Sequence, residues 1–370
     1  PRYIDSTEPE DLQDIDGHLR GGIPERDLDA LGAYWQVLPG VRGELFEAFD
    51  KTGSRPGYAR LKPALTGVKS AIFGHAEFTA FQQKATKVFS DWRKATTPRL
   101  TGFGKEGHPK ALIETIAEDL LAAFRLAPLI DAYDIYQHLM DYWSETMQDD
   151  CYLIAAEGWV AVPTRIVETD KKGKSKDKGW ACDIIPKALI VARYFAAEQA
   201  AIEAKQTKLE TATASLADVE EEHGGEEGYL GALDKIAKAE VNARLKEIKG
   251  DKEANDEIAV LKRWLELAEQ ETTLKRAVKD QDAALDGLAY AKYSQLTEAE
   301  IKTLVVDDKW MAHLLAAVQG ELDRVSQNLT GRIRQLAERY ATPLPRLTEE
   351  VETLATRVAE HLRKMGAVWK

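Results

Sequence analysis

Beyond Pro186 the apolar side chains return every seven residues, and that spacing constrains the chain more than any other feature. Phe195, Ile202, Leu209 and Leu216 form one line. Val260, Trp264, Leu267, Leu274, Val278, Leu285 and Leu288 form a second, interrupted by Glu271 and Gln281. Two helical turns bring a seven-residue repeat back to the same stripe, so the pattern is that of a coiled-coil seam, whereas a strand alternates with a period of two. Between the lines lies Glu220–Gly228 (EEEHGGEEG), which reads as a turn or mobile tip. A helix-like segment with Leu233, Ile236, Val241, Leu245 and Ile248 follows it. The simplest geometry is a long antiparallel helical arm over about 186–295, folded back on itself.

Two further helices are expected at 296–370. One carries Trp310, Leu314, Val318, Leu322, Val325, Leu329, Ile333 and Leu336. The other, after Pro343 and Pro345, carries Leu347, Val351, Leu354, Val358, Leu362 and Met365. Before the arm, residues 1–150 read as short helices with clear punctuation. Ser6 and Thr7 are N-cap candidates ahead of Leu12, Ile15 and Leu19, and Gly21-Gly22 stops that helix. Pro24 opens another with Leu28, Leu31 and Trp35, which Pro39-Gly40 ends. Helices follow around 63–73, 75–95, 109–126 and 129–148. Leu112, Ile116, Leu120, Leu121 and Phe124 form one stripe, and Ile135, Leu139 and Tyr142 another.

The period changes at 151–185. Residues 151–168 (CYLIAAEGWVAVPTRIVE) hold two apolar runs around Glu157-Gly158, a strand or hairpin signal. Lys171–Gly179 then reads as a loop, and Trp180–Ile185 as one more short strand. The expected fold is therefore mainly α: a short-helix N-terminal region, a small antiparallel β hairpin, a long coiled-coil-like arm and C-terminal helices.

The chain's 370 residues allow two or three domain-sized units. No apolar stretch approaches the roughly 20 residues that a membrane-spanning helix needs. No secretory signal is apparent, and two cysteines, Cys151 and Cys182, are too few for a disulfide framework, so the expected location is cytoplasmic. The start at Pro1 rather than Met reads as a fragment or a processed end. A net charge of −12 argues against a chain that binds polyanions as a whole and leaves nucleic-acid contact to a local patch or a partner. The densest such patch is Lys171, Lys172, Lys174, Lys176 and Lys178. Those lysines suit DNA phosphates, but on charge alone a solvated hairpin tip is the better reading.

Signals for catalysis are thin. Gly102, Gly104 and Gly107 match a dinucleotide-binding spacing, but Lys94–Arg99 before them is polar and contains Pro98, where a buried strand is required. An interhelical loop is the better reading. The seven histidines show no metal-ligand spacing, and neither cysteine has a nearby second thiol. Cys151 and Cys182 read as core fillers, and His138, beside Gln137 and Asp141, as a satisfied core histidine. No catalytic, cofactor-binding or metal-binding residue is assigned.

Several long strings are similar to one family. Ile15–Arg42 (IDGHLRGGIPERDLDALGAYWQVLPGVR), Gly107–Arg125, Leu129–Ala155 (LIDAYDIYQHLMDYWSETMQDDCYLIA), Ile185–Ile202, Thr297–Trp310 and Arg324–Tyr340 resemble the C-terminal half of the modification subunit of type I restriction-modification systems. The resemblance covers nearly the whole chain. It implies a subunit of a multi-chain phage-defence complex, with a specificity subunit, a restriction subunit and DNA reached through the complex. The family's full-length subunit transfers a methyl group from S-adenosylmethionine to the exocyclic amine of a flipped-out adenine. That chemistry uses an Asn/Asp-Pro-Pro-aromatic tetrapeptide, and this chain has no Pro-Pro pair. The resemblance therefore implies an assembly region after an absent methyltransferase domain, inactive alone and without its own cofactor. In the family such a region docks on the specificity subunit's long helices. Phe195, Ile202, Leu209, Leu267, Leu274, Val278 and Leu285 are the expected docking residues. The alternative is a stand-alone helical interaction module or a DNA-backbone clamp.

Overall fold

A computed structural model describes residues 12–50, 54–169, 175–226, 228–251 and 253–365. The fold is mainly helical. In chain order come α1 (Ile15–Arg20), β1 (Ile23–Pro24), α2 (Glu25–Asp29), α3 (Gly32–Val37), α4 (Pro39–Leu45), β2 (Phe46–Ala48) and β3 (Tyr58–Leu61). Next are α5 (Val68–Gly74), α6 (Ala76–Gly102), α7 (Pro109–Phe124), α8 (Ala132–Tyr142), a π-helical segment (Trp143–Met147) and α9 (Gln148–Glu157). The hairpin β4 (Thr164–Thr169) and β5 (Ser175–Ala181) leads to α10 (Lys187–Tyr194), α11 (Ala196–His223), α12 (Lys238–Glu247) and α13 (Asn255–Tyr293). The chain closes with α14 (Glu298–Lys302), a second π-helical segment (Thr303–Met311), α15 (Ala312–Arg339) and α16 (Leu344–Lys364).

Two compact units result. The first combines residues 1–102, 108–148 and 311–370; the second combines 103–107 and 149–310. In the first unit α15 is the central helix and packs on α5, α6 and α8. Its buried line, Leu314, Val318, Leu322, Val325, Leu329, Ile333 and Leu336, is the apolar face expected from its periodicity. Each fully buried leucine or isoleucine contributes about 1.5–3 kcal/mol. Phe78, Phe89 and Trp92 of α6 and Ile116, Leu120 and Phe124 of α7 complete this core.

Several local expectations are corrected. Ser6 and Thr7 lie outside the described residues, and the cap of α1 is Asp14, whose carboxylate accepts from the Gly17 N–H at 2.7 Å. The helix that carries Trp35 ends at Val37, just before Pro39, as expected, and Pro39 also opens α4, since its missing N–H is tolerated at a first helical position. Residues 151–157 are helical: Cys151 and Ile154 are buried on one side of α9, so the apolar run is a packed helix and not a strand. Strand β5 begins at Ser175 and ends at Ala181, earlier than the expected Trp180–Ile185, because it pairs antiparallel with β4 from Thr169↔Ser175 to Thr164↔Ala181. The N-terminal region also contains an antiparallel sheet, ordered β1-β3-β2, with Ile23 opposite Ala59 and Phe46 opposite Leu61.

Helix α6 runs through Pro98 to Gly102. Thr96 and Leu100 on either side of the proline are buried, and the hydroxyls of Thr97 and Thr101 donate to the carbonyls of Arg93 and Thr97. Packing thus carries the helix past a residue that ordinarily breaks it.

Candidate functional site

The seven-residue seams close on each other. Trp264 Nε1 donates to Glu220 at 2.9 Å and Thr213 Oγ1 to Glu271 at 3.1 Å, so a step up α11 matches an equal step down α13. The arm is therefore antiparallel, as expected. Ile202, Leu209 and Leu285 are buried within it, and Phe195, Leu267, Leu274 and Val278 are half-buried. Three of the seven expected docking residues are thus buried in the arm's own packing, and Leu267 packs against the core near its tip. The buried line of α13 also differs by a residue from the expected seam: Leu261, Trp264 and Ala268 at one end, Leu285, Ala289 and Tyr293 at the other. Leu288 is left exposed.

The expected turn within Glu220–Gly228 begins where α11 ends at His223, and the residues around it form a small core. Val219, Leu230, Val241, Ile248, Leu261 and Ala268 surround Trp264. The turn depends on glycine, because a Cβ on Gly228 would sit 2.1 Å from the His223 carbonyl oxygen and one on Gly231 1.9 Å from that of Gly225. That close approach lets the N–H groups of Leu230 and Gly231 reach the His223 carbonyl at 2.8 and 3.0 Å.

The hairpin is tied to the base of the arm. Trp180 meets Tyr290 and Tyr293 edge-on at 5.4 Å, and its Nε1 donates to Asp286 at 3.0 Å. Burial raises the Asp286 carboxyl, but the Lys187 and Trp180 donors outweigh it and hold the group below its ordinary range. Of the five lysines singled out for phosphate contact, Lys171, Lys172 and Lys174 lie outside the described residues. Lys176 stands opposite Glu168 in the strand register. Lys178 pairs with Glu168 at 2.9 Å and Arg165 with Asp177 at 3.2 Å, so Lys178 and Arg165 already face carboxylates.

The remaining chemical candidates resolve into braces. Asp150 accepts from Lys309 at 2.8 Å on both oxygens and from Trp310 Nε1 at 2.8 Å, while Lys309 also donates to the Ile184 carbonyl at 2.9 Å. Burial raises the Asp150 carboxyl despite the neighbouring ammonium. Cys151 and Cys182 are free and buried, and burial together with Asp150 pushes the Cys151 thiol up to about 12. A thiol held protonated is a poor nucleophile, so both cysteines are core fillers. His138 sits at a half-buried polar seam between α8 and α15 and not in the core: it meets Glu321 at 2.8 Å, and farther along Tyr142 stacks on His313 at 3.8 Å. The glycine-rich stretch is the connection between α6 and α7, without a preceding strand, and the Glu106 N–H donates to the Ala155 carbonyl at 3.1 Å.

A continuous exposed apolar stripe lies on α16. Among its described residues none is buried, and Leu344, Leu347, Val351, Leu354 and Val358 are 42–63% exposed. Helices in proteins draw most of their stability from packing an apolar face, and this face has little within its own unit to pack on. A contiguous exposed apolar stripe of this kind marks an interaction surface. Its sequence signal, the stripe after Pro345, was visible, but the same signal fits a helix buried in its own domain. In comparison with known proteins, the chain matches no family model, no curated protein and no solved structure. Among the described residues no helix is long and apolar enough to cross a membrane.

Proposed function

We propose that this chain is a non-catalytic assembly region, and that the complex it joins is a DNA adenine-methylating complex of the type I restriction-modification kind. The observation that carries the assembly reading is α16, a helix of 21 residues whose apolar stripe is exposed along its length. Helix-in-groove association needs such a row of anchors spaced by three and four residues. The placement in a type I complex rests on the long strings that resemble modification subunits. On this reading S-adenosylmethionine and the methyl-transfer chemistry belong to the full-length subunit, and DNA is reached through the complex. The partners are a specificity subunit and a restriction subunit.

The test is light scattering on gel-filtered mixtures of the chain with a specificity subunit of the same system. A stable heteromeric complex is expected, lost in the double variant Leu347→Asp, Leu354→Asp while the helical circular-dichroism signal persists. Absence of any complex at micromolar concentration overturns the type I reading. A complex indifferent to the α16 substitutions overturns the choice of surface.

A further inference from the structure

Residues of α16 fall into heptads. Leu344, Val351 and Val358 occupy one core position and Leu347, Leu354 and His361 the other. These core residues form a seam for a partner helix but do not set its orientation. The positions flanking this seam decide between partners. On one side they are Glu350, Arg357 and Lys364; on the other they are the uncharged Thr348, Ala355 and Leu362. Charge is also ordered along the helix: Glu349, Glu350 and Glu352 dominate its first half, and Arg357, Arg363 and Lys364 its second, against single opposing charges at Arg346 and Glu360.

The helix macrodipole favours acid at the first turn and base at the last, but its influence fades within a turn of either end. Glu350 and Arg357 lie in the interior turns, so their order needs another cause. A membrane surface is a poor fit, because anionic lipid selects a basic polar face and this one carries Glu349, Glu352 and Glu360. A parallel pair of identical helices would set Glu350 beside Ala355 and Arg357 beside Leu362, with acidic half on acidic half. An antiparallel pair matches the charge order with itself. It places Val351 against the second copy's Leu354, Leu347 against its Val358, and Glu350 against its Arg357, each contact occurring twice by symmetry.

We infer that α16 pairs antiparallel with α16 of a second copy of this chain, with Glu350 of each copy facing Arg357 of the other. The inference rests on reading α16 as a docking surface and names its occupant: two copies join through α16, and the heteromeric complex needs that pair, so the α16 substitutions lose both. A symmetric contact of this kind brings two copies into one assembly without consuming the arm or the core of α15.

Sedimentation velocity on the full chain alone, across a micromolar concentration range, tests it. The natural chain is expected to show a concentration-dependent dimer. Glu350→Arg or Arg357→Glu alone should weaken that dimer by about tenfold, since two attractive pairs become repulsive. The double variant Glu350→Arg, Arg357→Glu should restore it to within about threefold. Leu354→Asp should leave only monomer. Because no described residue of α16 is buried and its contact with α1 in its own unit is marginal, the thermal midpoint of the monomer should stay nearly unchanged in every variant, which keeps misfolding separable from lost pairing. A chain that is monomeric throughout overturns the inference, as does a dimer that survives Leu354→Asp or is not rescued by the double reversal. If the heteromeric complex still forms through α16 in those cases, the assembly reading stands and only the named occupant is wrong.

Discussion

Helices α15 and α16 follow one another in the chain and carry the same kind of apolar stripe, yet the first is buried along its length and the second is exposed. Leu322, Leu329 and Ile333 are at most 2% exposed, while Val351, Leu354 and Val358 exceed half. Periodicity states that a face seeks burial. It does not state against what. Helix α15 finds α5, α6 and α8 within its own unit, and α16 has a marginal foothold at α1. Stability is therefore carried by α15, while α16 is the helix to which association is assigned by proposal, although a sequence profile would score them alike.

Substitutions should separate the two. Ile333→Asp places an unpaired carboxylate among buried apolar groups, and a cost of about 5 kcal/mol or more would take most of a domain's stability. The matching Leu354→Asp in α16 should leave the thermal midpoint where it was. Equal losses in the two variants, read by thermal melts followed at 222 nm, would break the distinction.

Charges sharpen the contrast at a smaller scale. The Asp150–Lys309 pair is almost wholly buried, whereas Arg346–Glu350 on α16 is well exposed at 3.4 Å. Asp150→Ala strands a buried ammonium and an indole N–H, and should cost about 3–5 kcal/mol in denaturant unfolding. Glu350→Ala should cost the monomer no more than about 0.5 kcal/mol. A mild Asp150→Ala would mean that water reaches Lys309.

The smallest effect concerns pH. Glu300 accepts from the Thr297 N–H and hydroxyl, from the Tyr194 hydroxyl and from Lys292, and these donors bring its carboxyl from an ordinary 4.5 down to about 2. Its folded value lies below its unfolded one, so the stability it contributes is present above pH 4.5 and is lost as the pH falls toward 2. Glu300→Gln should flatten that part of an acid titration. An unchanged acid limb would show that the capping box at α14 contributes no proton linkage.

Much of the fold was legible, and the misses share a cause. Helices α7, α8, α11, α13 and α15 were readable because each repeats its apolar spacing over several turns. The sheet β1-β3-β2 was not, since strands of two to four residues hold too little alternation and pair across distant segments. Residues 151–157 were misread as strand because a short apolar run is ambiguous until its neighbours are known. The candidate site was half legible. The stripe of α16 can be seen in the sequence, but of the docking residues named there Ile202, Leu209 and Leu285 are buried in the arm.

The sequence by itself determined the helical class, the antiparallel arm, the boundaries set by Pro186 and Pro343, and the absence of a Pro-Pro pair. These follow from local periodicity and backbone chemistry, which act within a few residues. Only the tertiary structure decided which stripes close on each other, that the arm's tip has a core around Trp264, that Asp150 and Lys309 meet across the chain, and that α16 remains open. Those outcomes depend on contacts between residues far apart in sequence, where an apolar stripe specifies a need for burial but leaves the partner to the packing of the whole unit.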